Sequence, residues 1–279
     1  MKFTFSIGEN LKFVEELIER LNKENIINRI WQKDYKVWSN DPAEISNRLG
    51  WLDSIEVTGK NLNEIVTFVD EVKKAGYTNA LLMGMGGSSL APEVFRFTFG
   101  VKEGYLDLTV LDSTHPQVVM NYAKKLNPVT TLYIVSTKSG GTVETFSFMK
   151  FFYNYALHIL GKEEVGKHFV AITDPGSGLQ KVAEELKFRK IFLNDPDIGG
   201  RFSALSFFGM VPAALVGVDV KKLLTDAQEQ ISNCKKLGSE ISENMAATIG
   251  SIMGALYKHG IDKLTFIISP KFSYIGAWI

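Results

Sequence analysis

Short apolar runs alternate with longer helical patterns through the middle of the chain. Continuous apolar runs bounded by turn residues are typical of strands buried on both faces, and their alternation with helices is typical of a parallel sheet. The pattern therefore predicts an α/β fold, a doubly wound parallel sheet flanked by helices, whose ligands bind at the carboxyl ends of the strands. The predicted strands are Asn79–Gly84, Leu108–Leu111, Leu132–Ser136, Phe169–Thr173 and Lys190–Leu193.

Polar and apolar positions near the start of the chain follow a helical period instead. Phe13, Leu17 and Leu21 recur every four residues, which places them on one face of a helix. We therefore expect residues 1–75 to form an N-terminal helical segment. The predicted sheet domain then spans residues 76–235.

The last predicted region, residues 236–279, combines one helical pattern with one strand pattern. Asn244–Lys258 predicts a long helix, and the apolar run Lys263–Ser269 predicts a further buried strand. No second strand–helix unit follows this run, so the region is interpreted as the helix and first strand of an incomplete second domain. Its apolar residues need cover, which favours either a homodimer or docking onto a missing C-terminal domain.

Composition excludes several classes of function. Lys and Arg together number 31, as do Asp and Glu, so no net positive charge is available to hold a nucleic acid. No apolar run approaches the roughly 20 residues that a membrane-spanning helix needs. The single cysteine, Cys234, excludes an internal disulfide and fits a reducing compartment. We expect a cytoplasmic protein without nucleic-acid or membrane partners.

The first of three candidate binding loops follows the strand that ends at Gly84 and reads GMGGSSLAP. Its glycines allow backbone amides to approach an anion, and Ser88 and Ser89 add hydroxyl donors at the start of the next helix. The loop fits neither the dinucleotide-binding glycine pattern nor a P-loop, which weighs against nucleotides. A tight turn without any ligand remains the alternative.

The second loop follows the strand that ends at Ser136 and reads TKSGGTVET. Hydroxyls of Thr137, Ser139 and Thr142 can surround phosphate oxygens, while Lys138 supplies a positive charge. The alternative is that Thr142 only caps the following helix, with Thr145 in its first turn.

The third loop reads DIGGRFS and contains Gly200 and Arg201. A glycine pair before an arginine permits a sharp turn that can direct a permanent cation at an oxyanion or phosphate. The alternative is a surface arginine paired with Asp195 or Asp197. Three such loops in chain order, each at a strand end or helix start, can converge on one crevice of a parallel sheet. The three together predict a site for a phosphate group.

The motifs GMGGSSLAP, STKSGGTVET and DIGGRFSALS resemble, in the same order, those of the phosphoglucose isomerase family and its SIS (sugar isomerase) domain. The segments VLDSTHP and TDPGSGL are similar as well. WSNDPAEISNRLGWLD resembles the start of the isomerase part of fused transaldolase–isomerase proteins. The resemblance covers the chain from about Trp31 onward and identifies it as similar to the N-terminal portion of the family.

The resemblance implies interconversion of glucose 6-phosphate and fructose 6-phosphate, a step of glycolysis and gluconeogenesis, by acid–base catalysis through a cis-enediol. It implies no metal and no organic cofactor. It assigns Arg201 a catalytic role, the stabilisation of the enediolate. The residues that it implies as contacts of the hexose 6-phosphate are Gly87, Ser88, Thr137, Lys138, Ser139, Thr142 and Gly200.

The sequence departs from the family in its proton-transfer groups. The family's catalytic glutamate, histidine and lysine belong to a second SIS domain, and no position here matches them. Glu144 is the remaining candidate base, but complementing a helix dipole explains it, and we do not expect it to be the catalytic base. The four histidines are interpreted as capping or surface groups. We therefore expect the sugar-phosphate-binding half of an isomerase, with little activity alone, and a non-catalytic sugar-phosphate-binding module as the alternative.

Overall fold

The computed structural model describes residues 4–235 and 244–279. The chain divides into two compact units, each considered by itself below. The domain boundaries expected from the sequence stay predictions. The first unit comprises Met1–Ser46 and Thr225–Ile267, and the second comprises Asn47–Leu224 and Ile268–Ile279.

A five-stranded parallel sheet forms the centre of the second unit, as the apolar runs predict. The strand order is β2-β1-β3-β4-β5, so the chain reverses its direction of travel across the sheet between β1 and β3. Such a reversal opens a crevice at the carboxyl ends of the two strands. The strands are β1 (Asn79–Gly84), β2 (Asp107–Leu111), β3 (Thr131–Ser136), β4 (Phe169–Thr173) and β5 (Lys190–Leu193).

Helices cover both faces of the sheet, which explains why the strands are apolar throughout and do not alternate between apolar and polar residues.

Among the described residues, no helix is long and apolar enough to cross a membrane. The α-helices are α1 (Leu11–Lys23), α2 (Ile26–Trp31), α3 (Ser54–Lys60), α4 (Leu62–Lys74), α5 (Leu90–Phe99), α6 (Pro116–Lys125), α7 (Val143–Leu160), α8 (Lys162–Val165), α9 (Gly178–Glu185), α10 (Phe207–Leu215), α11 (Val220–Cys234), α12 (Met245–Lys258) and α13 (Ile275–Trp278).

Aromatic side chains fill the space between the sheet and its helices. On one face, Tyr133 of β3 stacks on Phe169 of β4 with ring centroids 4.8 Å apart. On the other face, Phe192 of β5 contacts Phe68 of α4 edge to face at 5.1 Å. Neighbouring positions of a strand point to opposite faces, so two such layers hold the strands from both sides. The carboxyl ends of β1 and β3 are thereby fixed side by side, with Gly84 opposite Ser136.

The first unit is helical, as its sequence predicts. Helix α1 packs against α12, and the ring of Phe13 stacks on that of His259 with centroids 3.6 Å apart. Asn244 caps α12 by accepting a hydrogen bond from the backbone N–H of Ala247 at 3.1 Å. The long helix expected at Asn244–Lys258 is therefore confirmed.

The buried strand expected at Lys263–Ser269 is not formed. Residues 261–269 belong to neither helix nor strand, and Leu264 and Ile267 are 55% and 100% exposed. A buried strand requires a neighbouring strand to pair its backbone groups. All strand pairings among the described named strands lie within β1–β5, which leaves this apolar segment without one.

Candidate functional site

An open cleft of about 460 Å³ lies at the carboxyl ends of β1 and β3, within the second unit. All seven residues expected to contact a sugar phosphate line it, so the structure brings together residues from three separate loops. Three further residues line the cleft that the sequence did not single out. The lining consists of Arg48, Met85, Gly87, Ser88, Thr137, Lys138, Ser139, Thr142, Asp174 and Gly200.

The first and third loops hold each other through one serine. The Ser203 hydroxyl lies 3.3 Å from the carbonyl oxygen of Gly87 and 2.8 Å from that of Gly200. Ser88 lines the cleft, whereas the buried Ser89 donates its hydroxyl hydrogen to the Gly86 carbonyl at 3.1 Å. Of the two serine hydroxyls expected to face a ligand, Ser89 is therefore engaged in the turn itself.

The second loop places three hydroxyl groups around a turn that contains two glycines. The hydroxyls of Thr137 and Thr142 lie 3.0 Å apart, and Ser139 Oγ accepts a hydrogen bond from the Gly141 N–H at 3.3 Å. Thr142 directly precedes α7, yet its side chain makes no capping hydrogen bond to that helix. Capping alone therefore does not explain Thr142, whose hydroxyl belongs to the loop. Gly140 has φ +62°, a conformation that suits glycine.

Lys138 reaches from the second loop to two acceptors at the carboxyl ends of neighbouring strands. Its ammonium group is hydrogen-bonded to the Asp174 carboxylate, and it donates to the Pro196 carbonyl at 2.6 Å. The ion pair is well shielded, because the side chains are 22% and 13% exposed respectively. Burial raises the pKa of Asp174 above its usual value, and the bond to Lys138 offsets only part of that effect.

Gly200 lines the cleft but Arg201 does not. Arg201 is exposed, and it forms no hydrogen bond or ion pair with any described residue. The alternative pairing with Asp195 or Asp197 is not formed. Asp195 Oδ1 instead accepts the backbone N–H of Asp197 at 2.9 Å. The ring of Phe202, next in the chain, stacks on Trp51 with centroids 5.3 Å apart.

Arg48 enters the cleft from a segment that precedes the sheet. This segment is fixed to the third loop, because the Gly50 N–H donates to the Asp197 carbonyl at 2.8 Å. Thr58, further along, donates its hydroxyl hydrogen to the Leu205 carbonyl at 2.7 Å. Sequence patterns identify ligand loops by their position after strands, and Arg48 has no strand before it. The backbone contacts of its segment with the third loop hold Arg48 at the cleft.

Asp174 directly follows strand β4, and residues at the carboxyl ends of parallel strands lie near the ligand crevice. The predicted strand could therefore have identified Asp174 as a cleft residue, although the three loop motifs do not include it. With Arg48 and Lys138 it gives the cleft two cations and one carboxylate, an excess of one positive charge. Four hydroxyl side chains add neutral donors. The arrangement is suited to binding an anion such as a phosphate monoester.

The groups that the sequence offered for proton transfer are not part of the lining. Neither Glu144 nor any of the four histidines lines the cleft. Within residues 4–235 and 244–279, no group of three or more His, Cys, Asp or Glu residues is arranged to hold a metal ion. The cleft is therefore equipped for binding and orientation more than for acid–base chemistry.

Comparison with known proteins gives a consistent picture. The family model described as phosphoglucose isomerase matches residues 53–274. A glucose-6-phosphate isomerase of Thermus thermophilus is 29% identical over 236 residues, covering 85% of this chain and 54% of the relative. One of Campylobacter jejuni is 31% identical over 190 residues, covering 68% of this chain and 45% of the relative. The chain thus spans about half the length of the curated relatives it matches.

Solved structures share the fold. A hypothetical protein of Thermus thermophilus superposes with a TM-score of 0.78 and 25% identity, covering 96% of this chain and 61% of the other. A glucose-6-phosphate isomerase from Chlamydia trachomatis superposes with a TM-score of 0.79 at 19% identity, covering 95% of this chain and 54% of that one. The second resemblance, at such low identity, concerns the fold alone.

Proposed function

Because the chain belongs to the phosphoglucose isomerase family, we propose that it serves the interconversion of glucose 6-phosphate and fructose 6-phosphate. In this proposal the residues of the cleft bind the phosphate and one end of the sugar. The observation that carries it is the convergence of Ser88, Lys138 and Ser139 from two loops on one cleft with a positive excess. The reaction requires neither a metal nor an organic cofactor.

The roles follow from the chemistry of each group. Thr137, Ser139 and Thr142 donate hydroxyl hydrogens to phosphate oxygens, and Lys138 and Arg48 neutralise their charge. Gly87 and Gly200 leave room for the sugar beside two backbone segments. Arg201, one residue beyond the cleft lining, stabilises the negative charge of the cis-enediolate if it turns inward.

Proton transfer between C1 and C2 needs a base, and the one carboxylate that lines the cleft, Asp174, is already bonded to Lys138. We therefore propose that these residues supply the binding half of the reaction and turn over little by themselves. A positioned base contributes about 10²–10⁴-fold to such a rate. The second candidate is a sugar-phosphate-binding module without catalysis, favoured because neither Glu144 nor any histidine lines the cleft. The setting in either case is the cytoplasm.

Calorimetric titration with fructose 6-phosphate, beside a coupled isomerase assay, tests the proposal. Binding is expected for fructose 6-phosphate and not for fructose, and it should be lost in Lys138→Met and Ser139→Ala. Arg20→Gln is the matched control, since Arg20 lies on α1 and its ion pair among the described residues is an exposed contact with Glu24. Turnover at an ordinary enzymatic rate contradicts the expected low activity, and absence of binding contradicts the phosphate site.

A further inference from the structure

We propose that Asp174 determines which anions the cleft accepts. In this proposal Oδ2 holds the Lys138 ammonium while Oδ1 receives a hydroxyl hydrogen from the ligand, so anions that carry no hydroxyl are disfavoured. The inference rests on the proposed function to the extent that both require an anion in this cleft. It adds a selectivity that neither the loops nor the family match assigns.

The lysine is engaged before any ligand arrives. Its ammonium is bonded to Asp174 and to the Pro196 carbonyl, both on segments that follow neighbouring strands. An incoming anion therefore competes with an internal carboxylate for the same cation. Any anion that approaches also meets the negative charge of that carboxylate, which opposes binding unless the ligand offers it something in return.

The backbone of Asp174 is fixed, so the carboxylate can move only by rotation of its side chain. Its own N–H donates to the Lys138 carbonyl at 3.1 Å, and the Thr173 hydroxyl donates to the same carbonyl at 3.3 Å. Thr173 is held in turn by the Ser177 hydroxyl at 2.7 Å. The loop after β4 and the phosphate loop therefore form one connected piece of backbone.

One oxygen of the carboxylate has no partner. Asp174 Oδ1 is buried and accepts no hydrogen bond within the described residues, although the residue lines the cleft. A buried carboxylate oxygen without a donor is costly, and an ionised carboxylate can only accept. When the side chain of Asp174 turns Oδ1 toward the cleft, a ligand hydroxyl supplies the missing donor, whereas an anion without one adds only repulsion. The charged groups that act on Asp174 are Lys138, Asp195 and Arg48, from three different segments.

Inorganic phosphate and sulfate are the probes that separate these cases. Both are tetrahedral oxyanions of similar size, but near neutral pH phosphate keeps an O–H and sulfate has none. Calorimetric titration of the full chain with each anion should give phosphate an advantage of about tenfold, the worth of one good hydrogen bond to a charged group. Asp174→Asn should raise sulfate affinity and bring the two anions within about threefold of each other.

The ratio of the two affinities is the decisive readout, because a general loss of structure lowers both anions together. Arg48→Gln is the matched variant: it removes a cation of the cleft but leaves the bond between Lys138 and Asp174 in place, so it should weaken both anions and leave the phosphate preference unchanged. Equal affinities for wild type, or a preference that Asp174→Asn leaves unchanged, overturn the inference.

Fructose 6-phosphate separates the inference from the function on which it rests. If the sugar phosphate binds but the anion preference is absent, only the role of Asp174 fails. If the anion preference appears but fructose 6-phosphate does not bind, the proposed function fails and the role of Asp174 stands. Binding of none of the three ligands overturns both.

Discussion

A Cβ atom on Gly87 would lie 2.1 Å from the carbonyl oxygen of Gly200. This distance is far inside van der Waals contact, so the first and third loops touch backbone to backbone and no side chain fits between them. The identity of residue 87 is therefore imposed by the meeting of two loops, independently of any ligand.

Replacing Gly87 with alanine should push the two loops apart. We expect a loss of about 1–3 kcal/mol in the free energy of unfolding, as for other overpacked sites, together with weaker fructose 6-phosphate binding. Denaturant unfolding and calorimetry measure the two effects. Gly59→Ala is the control, because no atom lies within 4 Å of its added Cβ in α3. It should leave the protein as stable or slightly more so. A Gly87 variant that behaves like the control would contradict the close approach.

Arg48 offers a test of the cleft wall that lies outside the sheet motifs. Arg48→Gln removes one of the two cations of the cleft. We expect the affinity for fructose 6-phosphate to fall about tenfold or more, because that is the contribution of a hydrogen bond to a charged group. Arg48→Lys should retain part of the affinity, since it keeps the charge but loses the fork of donors. Calorimetric titration with fructose 6-phosphate at low and at moderate salt measures the affinity of each variant. If Arg48→Gln binds as tightly as Arg20→Gln, the arginine does not contact the ligand.

Thr142 distinguishes a helix cap from a ligand contact. Thr142→Val keeps the shape but removes the hydroxyl that faces Thr137 at 3.0 Å. We expect fructose 6-phosphate affinity to fall about fivefold, the worth of about 1 kcal/mol, while Thr142→Ser keeps it. Thermal unfolding should change little, because the side chain caps no backbone N–H of α7. A large loss of stability with unchanged affinity would restore the capping explanation.

His168 makes stability depend on pH. Burial lowers the pKa of His168, whose ring lies 5.0 Å from that of Tyr77 and whose Nδ1 is 3.3 Å from the Thr131 carbonyl. The unfolded chain then binds more protons than the folded one below the unfolded histidine pKa of about 6.5. Stability should fall as the pH drops from that value toward the lower folded pKa.

Urea unfolding at a series of pH values from neutral to mildly acidic checks this. His168→Gln should flatten the decline, because glutamine does not titrate. His158→Gln, at an exposed position of α7, is the control and should keep the wild-type slope. An unchanged slope in His168→Gln would place the origin of the decline elsewhere.

The apolar segment 261–267 predicts self-association. Four of its apolar side chains are about half exposed or more: Ile261 (47%), Leu264 (55%), Phe266 (48%) and Ile267 (100%). Burying such side chains is favourable by about 25 cal/mol per Å² of apolar surface, so we expect dimers or larger species by light scattering. Ile267→Asp should shift the population toward monomer, whereas Val129→Asp, at an exposed site elsewhere, should not. A monodisperse wild-type monomer would contradict this.

The sheet could be predicted from the sequence because burial on both faces leaves a plain signature. Each apolar run from Asn79 to Leu193 became a strand, with bounds that differ by one residue at most. The cleft followed from the same logic, since glycine-rich loops after β1 and β3 must meet where the strand order reverses. Lys263–Ser269 carries the same apolar signature but has no neighbouring strand, so composition alone misidentified it.

Contacts that depend on distant backbone could not be predicted. Nothing near Arg48 in the sequence indicates that Gly50 bonds to the third loop. The structure places Gly200 in the cleft and leaves the side chain of Arg201 exposed, so the role of this arginine at the ligand stays a prediction. Loop motifs identify which segments lie near the ligand. The direction of each side chain depends on the local backbone geometry, which the motifs do not specify.

The bond between Thr58 and the Leu205 carbonyl joins positions 147 residues apart. Such a contact cannot form during synthesis until nearly the whole sheet domain has left the ribosome, because one partner is made early and the other late. Closing so long a loop also carries a large entropic cost that only the finished sheet offsets. The wall that carries Arg48 should therefore join the cleft late in folding, after the strands have paired.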